Sequence, residues 1–143
     1  FNEVECGDHY ARALASWGVY TALAGYKYHG PKGEIGFAPR INKDDFQAAF
    51  TAAEGLGTYS QTIGADTFTA ELLLRWGRLA VKTLSFQIPF ANDTVPVTLD
   101  VRIAGKKAAH GYMLGNDGQL IIALNNKSII RAPEALTVTV TKQ

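Results

Sequence analysis

The chain has 143 residues, 47% of them hydrophobic, and its 14 basic and 13 acidic side chains leave a formal net charge of +1. That length fits one domain with enough apolar material for a core, and so even a charge balance gives no electrostatic footprint for nucleic acid or for an anionic membrane. A single cysteine, Cys6, excludes an internal disulfide and a cysteine-based zinc site, and no apolar run approaches the ~20 residues of a membrane-spanning helix.

Nothing before Gly30 reads as a signal peptide, so a chain starting at Phe1 reads as a processed product or a piece. Residues 8–26, DHYARALASWGVYTALAGY, predict a helix. Asp8 can cap its start, Ala and Leu dominate its body, and Gly25 can stop it. After Arg12 no charged residue appears until Lys27, and Tyr10, Leu14, Trp17, Val19, Tyr20 and Leu23 spread around the whole circumference. A surface helix shows one apolar stripe, whereas a helix apolar all round is a buried one. One sheet covers one side only. The pattern therefore predicts a buried helix that needs more protein around it than this chain supplies; the competing reading is an Ala- and Gly-lined face that tolerates solvent.

His29-Gly30-Pro31-Lys32-Gly33 is a turn, and a short extended piece follows over 35–41. Phe46, Ala48, Phe50 and Ala52 then alternate with Gln47, Ala49, Thr51 and Ala53, the period of a strand, with a helix over 43–53 as the alternative. Strands are expected over 58–63 and 68–75, with Trp76-Gly77 turning the second into a hairpin with 79–88. The five apolar residues Val95, Val97, Leu99, Val101 and Ile103 share one face of a strand that Pro96 places at an edge or a beginning. Asn116-Asp117-Gly118 is a hairpin turn leading into Leu120, Ile122 and Leu124, and Leu136, Val138 and Val140 line the last strand. Seven or eight short strands at near-regular spacing point to a sandwich. The expected fold class is α+β: one buried helix in a helical segment over 1–33, then a mainly antiparallel β-sandwich over 34–143.

The β unit is poor in reactive groupings. His110 has no second histidine at a ligand-like spacing, no serine sits in a nucleophile elbow, and no glycine-rich phosphate loop follows a strand. Glu54 and Glu71 read as isolated, solvated carboxylates, and no cofactor or metal is expected. The first dozen residues differ. Glu3, Glu5, Asp8, His9 and Arg12 crowd the entry to an otherwise apolar helix. Arg12 lies one turn after Asp8, a spacing for an ion pair, and a buried guanidinium must face carboxylates or a polar pocket. Two readings stand: a structural Asp8–Arg12 pair, or Glu3 and Arg12 lining a pocket that grips hydroxyl groups through charge-assisted hydrogen bonds. A further possibility is a non-catalytic carbohydrate-binding or scaffold module, with Tyr59, Trp76 and Tyr112 as exposed aromatics for stacking on sugar rings.

The string NEVECGDHYARALASWGVYTALAGYKYHGPKGEIGFAP, residues 2–39, resembles the C-terminal end of the catalytic region of glycoside hydrolase family 116. That family includes β-glucosidases, β-xylosidases and non-lysosomal glucosylceramidases. FTAAEGLGT, residues 50–58, is similar to the β extension of bacterial members. The resemblance implies an (α/α)6 catalytic barrel to which the helix would belong. It also implies a retaining mechanism with a glutamate nucleophile and an aspartate acid/base, both upstream of the matched segment. What the resemblance places within this chain is a Glu and an Arg nine residues apart that contact sugar hydroxyls, and Glu3 and Arg12 have that spacing; Glu5 and His9 are neighbours without a firm role. The implied partners are the upstream catalytic barrel and a carbohydrate ligand, with no nucleic acid and no membrane span.

Overall fold

The computed structural model describes residues 8–89 and 96–143, with the side chains of 8–11 outside that description. A helix α1 (Asp8–Ala24) leads into ten strands: β1 (Lys27–His29), β2 (Glu34–Phe37), β3 (Asp45–Ala52), β4 (Gly55–Ile63), β5 (Thr67–Gln87), β6 (Val97–Ile103), β7 (Lys106–Lys107), β8 (His110–Leu114), β9 (Gln119–Arg131) and β10 (Ala135–Lys142). The strands form one mixed sheet, in which the β2–β5 pair is parallel.

β5 organises the sheet. Its 21 residues have a contour of about 70 Å. Phe68–Gly77 pairs with β4, and Thr67–Leu73 pairs with β10 on the other side. Beyond Gly77 the same strand pairs with β9, and over Thr83–Phe86 with β2. One half-sheet thus holds β3, β4, the start of β5, β10, β6 and β7; the other holds β1, β2, the end of β5, β9 and β8. Trp76-Gly77 is therefore a bend within a strand, not the hairpin turn that the local signal predicts. Buried side chains continue across it, Leu72 and Leu74 before and Leu79 and Val81 after, and each flank finds a partner strand other than its own sequel. Gly77 takes φ 75°, and a Cβ there would lie 2.1 Å from the Glu54 carbonyl oxygen. Only glycine fits both demands.

The bend brings the two inner faces together. Phe37 of β2 lies flat on Tyr59 of β4, with ring centroids 3.8 Å apart and planes 2° from parallel. Phe86 stacks on the other side of this cluster, 6.1 Å from Tyr59 and 5.7 Å from Phe68. Tyr59 and Phe68 are fully buried. Burial moves the Tyr59 phenol far above its usual range, so it stays neutral and donates 2.6 Å to Gln61 Oε1, while Gln61 Nε2 donates 2.7 Å to the Lys43 carbonyl. The buried amide is thus satisfied. Leu120, Ile122, Leu124, Leu136, Val138 and Val140 all point into the core as their alternation predicts, Asn116-Asp117-Gly118 joins β8 to β9, and residues 45–52 form a strand rather than a helix.

The helix does not behave as expected. Leu14, Trp17 and Val19 are 73%, 52% and 58% exposed, and among the described side chains of α1 the buried hydrophobic one is Ala24 at its end. The fold is a mostly β structure with one helix on a mixed sheet, not an α+β arrangement with a buried helix of an (α/α)6 barrel. The physical reason is that the two half-sheets cover each other's inner faces.

α1 is held instead by its C-terminal end and the residues that follow. Gly25, at φ 57°, ends it, and the Ala24 and Leu23 carbonyls accept from the Ala38 and Arg40 amides at 3.2 and 2.8 Å. Three tyrosines then meet β3, whose one strand partner among the described residues is β4. Tyr20 donates 2.7 Å to the Ala49 carbonyl, Tyr26 donates 2.6 Å to the Thr51 carbonyl, and Tyr28 accepts from the Ala53 amide at 3.3 Å. These alternate positions point to the open side of β3, so the phenols occupy an edge that would otherwise template a foreign strand.

Gly77→Ala is expected to destabilise the fold by about 2–4 kcal/mol through combined φ strain and backbone overlap, read as a lower urea midpoint. A second expectation concerns pH. Burial, with Tyr28 nearby, pushes the Tyr26 phenol up to about 12 from 10.0. A phenol whose folded value is raised favours the fold fully below pH 10 and withdraws that support as pH rises through about 12. Urea midpoints measured across this window should fall, and Tyr26→Phe should flatten the part of the decline that belongs to this residue.

Candidate functional site

The sequence-derived site lies at the far end of α1. Glu3 and Glu5 fall outside the described residues, and so do the side chains of Asp8 and His9; the proposed Asp8–Arg12 pair falls there too. Arg12 is described, and it is exposed on the first turns of the helix rather than buried. The reason is the one that exposes Leu14 and Trp17: the helix leaves the sheet at Tyr20 and runs outward. The Arg12 carbonyl accepts from Ser16 Oγ at 2.8 Å, a bond internal to the helix that leaves the guanidinium uncommitted to the sheet.

The three aromatics suggested for sugar stacking do not form a platform. Tyr59 is at the centre of the core, with 0% exposure. Trp76 is 65% exposed beside the Gly77 bend, paired across the strand with Leu56. Tyr112 is on β8 with its hydroxyl 3.5 Å from the Val97 carbonyl. Glu54, expected to be isolated, is held by Arg78, whose Nη2 and Nε donate to its two carboxylate oxygens at 2.5 and 3.0 Å. These bonds lower the Glu54 carboxyl below its ordinary range. The pair links the β3–β4 turn to the strand just past the bend. Glu71 is half-buried on the outer face of the first half-sheet. His110 Nδ1 faces the Ala108 carbonyl at 2.9 Å, and among the described residues no three His, Cys, Asp or Glu side chains gather as a metal site would need.

Two concave surfaces among the described residues lie on outer faces. One, of about 440 Å³, is a trough on the first half-sheet between Ser60, Thr62, Thr69, Glu71, Thr137 and Thr139. Its walls are short hydroxyl side chains in strand register. The other, about 390 Å³, lies on the second half-sheet over β1, β2, β5 and β9. Here the register explains the composition. Lys27 pairs with Gly36, Gly36 with Ser85 and Ser85 with Ile121, while His29 pairs with Glu34 and Glu34 with Thr83. Two cross-strand rows thus place an ammonium, an imidazole, a carboxylate and two hydroxyls beside the apolar Ile121, with Gln119 also in the lining. Gly36 keeps the centre open, since a Cβ at that position would meet Ser85 Oγ at 1.9 Å and the Ser85 carbonyl oxygen at 2.9 Å.

This groove was not legible in the sequence. Its residues come from four segments, and parallel pairing of β2 with β5 has no local signature. Comparison with known proteins finds no family model that matches the chain and no similar curated protein. Among the described residues no helix is long and apolar enough to cross a membrane, which says nothing of strands. Gly36→Val should close the groove and cost about 1–3 kcal/mol by overpacking against Ser85, seen as a lowered thermal midpoint and, in the crystal structure of the variant, a displaced Ser85.

Proposed function

We propose that this chain is the C-terminal portion of a retaining β-glycosidase, acting on glucoside-, xyloside- or glucosylceramide-type substrates together with an upstream catalytic region. The sequence of residues 2–12, NEVECGDHYAR, carries this reading. In such an enzyme the nucleophile and acid/base carboxylates flank the scissile bond and lie in the upstream region. Glu3 accepts hydrogen bonds from sugar hydroxyls and Arg12 donates to a hydroxyl oxygen, both charge-assisted. Contacts of this kind accelerate hydrolysis when they tighten as the ring flattens toward the oxocarbenium-like transition state.

Two structural facts support the reading. Arg12 is exposed, with its charged head free of the sheet, and the helix carrying it presents Leu14, Trp17 and Val19 to the outside. An exposed apolar run of that size suits contact with more polypeptide, and the upstream catalytic region is the occupant this function supplies. The β portion then braces the region that holds the reacting sugar.

In the full-length enzyme carrying this sequence, Glu3→Gln is expected to lower kcat/KM about a hundredfold, equivalent to about 2.7 kcal/mol of transition-state stabilisation. The loss should fall mainly on kcat. An unchanged kcat/KM removes Glu3 from the assignment.

A further inference from the structure

We propose that the groove on the outer face of the second half-sheet is a binding site for a neutral oligosaccharide. The inference stands on the groove's own chemistry and does not depend on Glu3 or Arg12. Lys27, Glu34, Thr83, Ser85 and Gln119 all line it, and among the described residues none of their side chains makes a hydrogen bond or ion pair. Their hydrogen-bonding capacity is presented outward. His29 is different: its Nδ1 accepts from the Lys32 amide at 3.3 Å, which makes Nε2 the protonated nitrogen of the neutral ring and so a donor.

The ligand class follows from the mixture. One ammonium and one carboxylate cancel, so the groove offers no net attraction to an anion or a cation. Hydroxyls and an amide both donate and accept, the imidazole and ammonium donate, and the carboxylate accepts. A ligand that satisfies all of them must carry many groups that both donate and accept. Sugar hydroxyls do this, and neighbouring pairs can bridge a carboxylate. Ile121, beside Ser85 in the same cross-strand row, supplies an apolar side chain against which the C–H face of a pyranose can lie, and Gly36 leaves the space for it. A volume of about 390 Å³ accommodates two or so sugar rings, with the remainder of a chain running into solvent at the open ends. So shallow a site gives weak binding, with Kd on the order of 1 mM.

The test is titration of the isotopically labelled full chain with cellotetraose, xylotetraose and tetragalacturonate, followed by amide NMR shifts. Saturable shifts confined to the amides of Glu34, Thr83, Ser85, Gln119 and Ile121 with a neutral tetrasaccharide are expected. Glu34→Gln should raise Kd about tenfold and Ser85→Ala about threefold, while Thr83→Trp, which fills the groove from an outward position, should abolish binding. Preserved spectra elsewhere confirm that each variant folds. No shifts at these amides with about 10 mM of either neutral sugar, shifts that map to another face, or tetragalacturonate binding tenfold more tightly than both neutral sugars would each overturn the proposal. Hydrolysis by the full-length enzyme reports on Glu3 alone, so failure here leaves that assignment untouched, and the converse holds.

Discussion

The structure depends on one contact between two rings. Phe37 and Tyr59 lie 3.8 Å apart and almost parallel, one on each half of a sheet that β5 threads through both. Without them the bend at Gly77 would leave a gap at the centre of two facing apolar surfaces. With them, the flat aromatic surfaces fill the space closely, as an interior at crystal-like density requires. The fully buried Leu84, Leu120, Ile122 and Val138 extend the same layer outward from the pair. The phenol of Tyr59 does a second task, tying Gln61 and through it the Lys43 carbonyl, so the loop before β3 is anchored to the core by a polar thread.

This arrangement explains why the helix is left outside. A folded sheet whose inner faces satisfy each other needs no helical cover, and the outer faces are lined by Thr, Ser, Lys and Glu side chains suited to water. What remains for the segment before β2 is the open side of β3. Tyr20 and Tyr26 donate to it and Tyr28 accepts from it, while Trp17 stacks on Tyr20 at 5.4 Å and Tyr26 packs on Phe37 at 5.2 Å. The aromatic residues of this segment, which suggest core from their apolarity alone, act through their hydroxyl groups as much as their rings.

How much was readable in advance follows from range. Alternation in residues 46–52, 120–124 and 136–140 reports local geometry, and each became a strand with the predicted face inward. The Asn116-Asp117-Gly118 turn is equally local. Trp76-Gly77 misleads because a turn signal and a bend signal are the same dihedral requirement; what separates them is whether β4 and β9 outcompete the strand's own continuation. The apolar circumference of α1 misleads in a related way, since it reports an appetite for burial and not whether this chain can meet it. Of the site residues, Arg12 is placed at the exposed end of α1, and Lys27, Glu34, Thr83 and Ser85 are brought together only by long-range pairing that no spacing in the sequence encodes.

The tyrosine contacts also set a lever. Arg12 is eight residues from Tyr20, about 12 Å along a helix axis, so a tilt of about 10° at the phenol moves the guanidinium by roughly 2 Å. Hydroxyl recognition tolerates less than that, since displacements of about 1 Å can cost a hundredfold in rate. On the glycosidase reading, the aim of Arg12 at a sugar is therefore fixed by a hydrogen bond to the Ala49 carbonyl on β3, and an edge strand far from any chemistry serves as the fulcrum.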